Sequence, residues 1–387
     1  MRFEDPSTVP KTSMLIELKE KREPLGRLDV LASVVERSMQ YYNTMNPRQL
    51  TDESMSNQAI ALRALSQIEQ ARGNLTQALT NSKLALKLRQ SLAEKEHGNI
   101  QWQSRLQETY TDLGDMEQKR GNLREARAWY NHARKVRTAL ARTQTHDALL
   151  QKEFAVSLCK TGEIARKTGE LDQAQQANQR ARDIMLRLTE HEAENAKWQK
   201  ELIEEYANLG DIAKARGNTD QAMGHFKQYF EICKRVVAKD PGTTFWQRAL
   251  AVSYSRLGDI EQARGNDEEA MGYFQQYFEI FKRLAEKDPG NADWQRELAV
   301  SYNKLGIIEH KRGNPDRAVE YFQKNFQIFE SLADEDSNNV QWQKELAITC
   351  DWLSLAYKKR HDTAQAKAYA DRALQIRKQL EAPEAGD

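Results

Sequence analysis

The chain has 387 residues, 30% charged and 39% hydrophobic, with only 18 Gly and 8 Pro, too few turn formers for a many-stranded β protein, so an all-α architecture is expected. Three scattered cysteines, Cys159, Cys233 and Cys350, exclude a disulfide framework or a thiolate zinc site. Lys+Arg 58 against Asp+Glu 57 leaves a net charge of +1 and no global field to draw in nucleic acid or acidic lipid, while a mean hydropathy of -0.82 without a long apolar run excludes a membrane span.

The opening MRFEDPSTVPKTSML has neither the basic start nor the apolar core of a signal peptide, so the expected location is the cytoplasm. Residues 1–12 are expected to be disordered and 13–53 to form N-terminal capping helices. A short helix fits Met14 to Lys21, and the stretch 24–46 places Leu28, Leu31, Val34, Val35, Met39 and Tyr42 at helical spacing before Pro47.

From there the chain repeats itself. A Trp-Gln pair stands at Trp102, Trp198, Trp246, Trp294 and Trp342, with Leu150-Gln151 in the vacant place, and glycine recurs at Gly73, Gly121, Gly169, Gly217, Gly265 and Gly313 until the pattern frays at His361. Both series step by 48 residues, a period that signals a solenoid. The spacing predicts seven helix-turn-helix copies over 54–101, 102–149, 150–197, 198–245, 246–293, 294–341 and 342–381, followed by a disordered tail over 382–387.

Within a copy, Trp294, Leu298, Tyr302 and Leu305 share one face of a first helix, which should end near Arg312-Gly313-Asn314, where glycine reaches the left-handed conformation without a Cβ penalty. Ala318, Phe322, Phe326, Phe329 and Leu332 mark a second helix, and Asp288-Pro289-Gly290-Asn291 shows where the preceding one turns. Gly114, Gly210, Gly258 and Gly306 are expected to face Ala126, Ala222, Ala270 and Ala318, letting two backbones approach. Each copy buries its apolar face against its neighbours. Copies four to six should be the most stable, being richest in aromatic residues such as Phe226, Phe274, Phe281 and Phe322.

Tyr110, Leu113, Gly114, Gly121 and Ala126 recur in phase as Tyr206, Leu209, Gly210, Gly217 and Ala222, as Tyr254, Leu257, Gly258, Gly265 and Ala270, and as Tyr302, Leu305, Gly306, Gly313 and Ala318. This pattern resembles the tetratricopeptide repeat over residues 54–381. The resemblance implies a right-handed α-solenoid of antiparallel helix pairs that binds a protein or peptide in its concave groove. Two departures stand out: the repeat exceeds the usual length of about 34 residues, and Glu117, Glu261 and Glu309 occupy a place where the family carries an aromatic. Copies this long are similar to arrays in large bacterial signalling proteins, which usually accompany a catalytic or NTPase module; none is visible in this sequence.

No phosphate-binding loop, dinucleotide fingerprint or H-E-x-x-H motif occurs, and the seven histidines lack ligand-like pairing, so no catalytic residue, metal or cofactor is assigned. Cys233 aligns with Phe281 and Cys350 with Tyr302, as small buried hydrophobes. The sequon at Asn74 falls on the turn position that also holds Asn122, Asn218, Asn266 and Asn314 and reads as a turn residue.

Partner-binding candidates lie on the first helices. After the Leu-Gly glycine come Asp115, Glu163, Asp211 and Asp259, then Ile307 and Leu355; three residues earlier stand Asp112, Lys160, Asn208, Arg256, Lys304 and Trp352. One reading is a groove for a peptide with basic residues toward copies two to five and an apolar anchor near copies six and seven, with Asn208 and Asn303 touching its backbone and Trp352 as a hot spot. The plainer reading, given more weight, makes Arg256 with Asp259 and Lys160 with Glu163 solvated i,i+3 pairs worth roughly a few tenths of a kcal/mol, with Trp352 covering the end of the core. Acids here repel a C-terminal carboxylate. The sequence thus points to a non-enzymatic protein-interaction scaffold. The alternatives are a regulatory or sensor subunit of a separate enzyme, and a nucleic-acid binder using Arg216, Arg264 and Arg312, which the balanced charge disfavours.

Overall fold

The computed structural model describes residues 35, 37–40, 42, 51–143, 147–192, 195–336 and 339–381. From residue 52 they form helices α1 (Asp52–Ala71), α2 (Leu75–Lys95), α3 (Ile100–Lys119), α4 (Leu123–Thr143), α5 (Ala148–Lys167), α6 (Leu171–His191) and α7 (Ala196–Ala215). The series continues with α8 (Thr219–Lys239), α9 (Thr244–Arg264), α10 (Asp267–Lys287), α11 (Ala292–Lys311), α12 (Pro315–Glu335), α13 (Val340–Lys359) and α14 (Thr363–Glu381). No strand occurs among the described residues. Successive first helices start 48 residues apart, as do successive second helices, so the fold is an all-α solenoid of helix pairs. First helices begin two residues ahead of the Trp-Gln landmark because Asn99, Asn291 and Asn339 cap them, each side chain accepting from the N–H of Trp102, Trp294 or Trp342.

The chain divides into two compact units, residues 1–208 and 209–387. In the first, α1 packs on α2, α3 on α4 and α5 on α6; in the second, α9 packs on α10, α11 on α12 and α13 on α14. Second helices then pack on the first helix of the next copy, as α2 on α3 and α12 on α13 do, which carries the core from copy to copy. Of the expected N-terminal helices, Val35 is described and fully buried, packed with Ala61, Met39, Ala64 and Leu65. The expectations for residues 1–12, for Met14 to Lys21, for Leu28, Leu31 and Val34, and for the tail 382–387 lie outside the described residues. Cys233 and Cys350 are fully buried.

Gly73, Gly121, Gly169, Gly217, Gly265 and Gly313 all take left-handed conformations, with φ between 74° and 83°. The next N–H returns to the carbonyl five residues back, as from Asn122 to Glu117 and from Asn314 to Glu309. The asparagine side chain then donates to the carboxylate of the same glutamate: Asn74 to Glu69 at 2.8 Å, Asn122 to Glu117 at 2.8 Å, Asn266 to Glu261 at 2.6 Å and Asn314 to Glu309 at 2.6 Å. Here is the physical use of the glutamate that replaces the family's aromatic. In copies three and four the place is Ala165 and Ala213, and Asn218 caps α8 through the Gln221 N–H. The pattern does not fray at His361, which adopts the same turn at φ 63°. A left-handed L-residue costs roughly 1 kcal/mol. His361→Gly is therefore expected to raise stability by about that amount in urea unfolding.

The glycines of the Leu-Gly pairs make room for rings, not for alanines as expected. A Cβ added at Gly114, Gly210, Gly258 or Gly306 would lie within 2.6 Å of the ring of Tyr130, Phe226, Phe274 or Phe322. Each ring comes from the second helix four residues beyond the alanine, so it reaches the glycine while the alanine stays buried beside it. In the first and last copies, where the ring is missing, serine takes the glycine's place: Ser66 donates to the Ala78 carbonyl and Ser354 to that of Ala366, both at 2.8 Å, and Ser82 donates to Ser66 at 2.8 Å, while Gly162 of the third copy faces the Asn178 amide.

Candidate partner-binding face

The candidate residues on the first helices are built into rungs of three parts. Asp211 of α7 pairs with Arg256 of α9, whose guanidinium lies 5.2 Å over the Phe226 ring of α8. Asp259 of α9 pairs with Lys304 of α11, whose ammonium lies 5.0 Å over Phe274 of α10. In the first unit Asp115 accepts from Lys160 at 3.1 Å and from the Tyr130 hydroxyl. The partners stand 45 residues apart, not three, which corrects the i,i+3 pairing of Arg256 with Asp259 and of Lys160 with Glu163. The next copy's first helix brings its cation to the carboxylate and to the ring below it, so the charge meets two attractive groups. A helical neighbour offers only one.

Asp112 receives a two-pronged bond from Arg63, at 2.6 and 3.2 Å. Glu163 accepts from Lys167 at 2.8 Å and from Gln118 at 2.9 Å. Burial alone would raise the Glu163 carboxyl, but these two bonds hold it below its usual range. Likewise burial works against the Lys160 ammonium, and attraction to Asp115 and Glu163 outweighs it and holds its pKa above the usual value. Both groups stay charged at neutral pH.

Asn208 donates to the Cys159 sulfur at 3.2 Å, while the Asn303 Oδ1 is buried without a hydrogen-bond partner. Lys160, Glu163 and Asn208 meet, with Val156, Glu201 and Glu204, around a cleft of about 290 Å³. Beside it stands a residue that the sequence analysis missed. Glu205 is buried, its Oε2 has no hydrogen-bond partner, and burial drives its pKa well above the carboxylate range despite a bond from Cys159. The signal was present in the repeat: the same position holds Thr109, Ser157, Ser253, Ser301 and Thr349.

At α13 the rung changes character. Trp352 takes the place of the cation, stacking on Phe322 at 5.7 Å and 19°, and Ile307 takes the place of the acid. Trp352 is half-buried against the core cluster, while Ile348 and Leu355, one turn to either side of it, are 44% and 45% exposed. Among the arginines at helix ends, Arg264 is held by Glu261 at 3.2 Å and by Asp220, and Arg360 by Asp316 at 3.0 Å. Among the described residues, no group of three or more His, Cys, Asp or Glu side chains is placed to hold a metal ion, and no helix is long and apolar enough to cross a membrane.

The family model of the tetratricopeptide repeat matches residues 250–289 and 298–339. No curated protein matches the chain. Among solved structures, BtubC (BKLC) from P. vanneervenii is 21% identical with a TM-score of 0.54, covering 68% of this chain and 94% of its own. Aspartyl phosphate phosphatase F from Bacillus subtilis is 14% identical with a TM-score of 0.51, covering 100% and 97%. The STAND protein PH0952 from Pyrococcus horikoshii, described as having a tetratricopeptide repeat sensor, is 14% identical with a TM-score of 0.56, covering 95% of this chain and 52% of its own. At such identities the likeness is one of fold. The matched segments span α10 and α12 with most of their partner helices and carry the tetratricopeptide repeat, and the same helix spacing runs through the other copies.

Proposed function

We propose that the chain is a cytoplasmic, non-enzymatic protein-interaction scaffold that holds a partner segment along its first-helix face. The observation that carries this reading is the change along that face in the second unit, where ion-paired rungs give way to the stripe of Ile348, Trp352 and Leu355. An apolar side chain of the partner covers the stripe and gains about 25 cal/mol per Å² removed from water. Basic side chains of the partner compete with Arg256 and Lys304 for Asp211 and Asp259, and with Lys160 for Asp115. Because those acids already have cations, such exchange adds selectivity more than affinity. Glu163 and Asn208 lie on first helices in the first unit, and Asn303 lies on one in the second.

The test is quantitative crosslinking of the full chain against its variants. Leu355→Lys with Ile348→Lys is expected to abolish capture of the partner, and Asp211→Lys with Asp259→Lys to reduce it. Partner sets unchanged by both pairs would remove this face from consideration.

A further inference from the structure

The third copy departs from its neighbours in volume and in charge at one place. Leu150 stands where five other copies carry tryptophan, and one turn later Phe154 stands where Leu106, Leu202, Leu250, Leu298 and Leu346 occur. Bulk has moved along α5, and a cleft of about 710 Å³ opens between α4, α5, α6 and α7. Phe154, Ile184, Leu188 and Trp198 give it an apolar floor. Arg142, Arg180, Arg187 and His191 stand around it, all exposed.

Among the described residues, none of these four side chains has a hydrogen bond or ion pair. Elsewhere arginines find acids: Arg127 meets Glu170, Arg256 meets Asp211, Arg360 meets Asp316 and Arg372 meets Glu330. Among the described residues lining the cleft the one acid, Glu192, accepts from Asn195 at 2.9 Å. Nor does the fold demand the charge. Arg142 occupies a place that is Glu94, Glu190, Ala238, Glu286 or Asp334 in other copies. The corresponding cleft of the sixth copy, about 290 Å³, has Ser331 and Glu335 where the third has Arg187 and His191.

We infer that this cleft is a second docking site, which takes an acidic segment of a protein partner carrying an apolar side chain between its carboxylates. Guanidinium groups bind carboxylates in two-pronged fashion, and the apolar floor takes the side chain between them. A nucleic acid would call for a basic face extending beyond one cleft, whereas Arg264 and Arg360 at the helix ends are held by acids and the net charge is +1. The inference rests on the interaction-scaffold reading for the class of ligand, but not on the first-helix face, where the cations Lys160, Arg256 and Lys304 are already paired with acids.

The probe is a fluorescein-labelled hexapeptide, Glu-Glu-Leu-Phe-Glu-Glu, titrated by anisotropy against the full chain. Its lysine counterpart and a labelled single-stranded RNA serve as comparisons. The acidic peptide is expected to bind, to weaken with salt, and to lose roughly tenfold or more in affinity in Arg142→Glu with Arg187→Glu. Arg142→Lys with Arg187→Lys should keep most of the binding, and Asp211→Lys with Asp259→Lys should leave it unchanged. All variants are compared after their circular dichroism matches that of the wild type. No binding at about 1 mM, equal binding by the Arg→Glu variant, or stronger binding of the RNA at the same arginines would overturn the inference. Failure here with successful capture on the first-helix face removes the second site alone; failure of both removes the scaffold reading as well.

Discussion

Gly258→Ser and Phe274→Ser are each expected to destabilise the second unit, and the double variant to be more stable than the sum of the two predicts. A Cβ on Gly258 has the Phe274 ring within 2.6 Å, and that ring is fully buried, so the first change overpacks the contact at a cost of about 1–3 kcal/mol. Removing the ring leaves a cavity and takes away the face on which the Lys304 ammonium lies, at a cost of about 3–5 kcal/mol. With both changed, the pair becomes the one that the first copy already uses, Ser66 with Ser82 at 2.8 Å. A coupling of at least about 1 kcal/mol in a double-mutant cycle, measured by urea unfolding, is expected. Strict additivity would show that the glycine does not exist for the ring.

Glu205→Ser should do the reverse and stabilise the first unit by about 1–3 kcal/mol at neutral pH, because it removes a buried carboxyl with an unpartnered oxygen. Serine at this place donates to its own helix, as Ser157 does to the Phe154 carbonyl at 2.7 Å and Ser253 to that of Leu250 at 2.6 Å. The effect depends on pH with a definite sign. Burial, reinforced by Glu204 and Glu201, raises the Glu205 pKa above its unfolded value, so the folded state binds the proton more tightly. The wild type therefore loses stability as pH rises from the unfolded carboxyl pKa, about 4.3, toward the folded one. The advantage of Glu205→Ser should be larger at pH 8 than at pH 5 in paired denaturation curves. An equal advantage at both would mean that Glu205 is not desolvated in the folded chain.

Much of the fold was legible because the landmarks are local. A glycine that ends a helix does so by its own backbone freedom, so the series from Gly73 to Gly313 gave both the period and the turn. The rungs were less legible, since Asp211 and Asp259 look alike whether their cation lies three residues away or 45. Only the stacking of one copy on the next decides that. The glycine contacts were misread for a similar reason: Ala270 and Phe274 both lie on the second helix, and the side-chain direction selects the ring. What the alignment of copies did hold, unread, were the mismatches. Glu205 among hydroxyl residues and Leu150 and Phe154 exchanging bulk mark places where one copy differs in chemistry from the rest, and glutamate comes with asparagine around the turn in four copies.

Because every rung draws its acid and ring from one copy and its cation from the next, the parts are interchangeable. Excision of residues 246–293 would bring Lys304 to the place of Arg256, opposite Asp211 and over Phe226, and no carboxylate would lose its counter-charge. An array built on such terms can lengthen or shorten by whole duplications while its electrostatic register stays intact. The copy with Trp352 differs, for at this rung it meets its neighbour with Ile307 and Trp352 in place of acid and cation, although Arg360 still pairs with Asp316 and Arg372 with Glu330. A charged copy inserted between them would place Lys304 or Arg256 chemistry beside Ile307, where no acid waits. The change from ionic to apolar rungs therefore gives the second unit a polarity that whole-copy exchange cannot reverse.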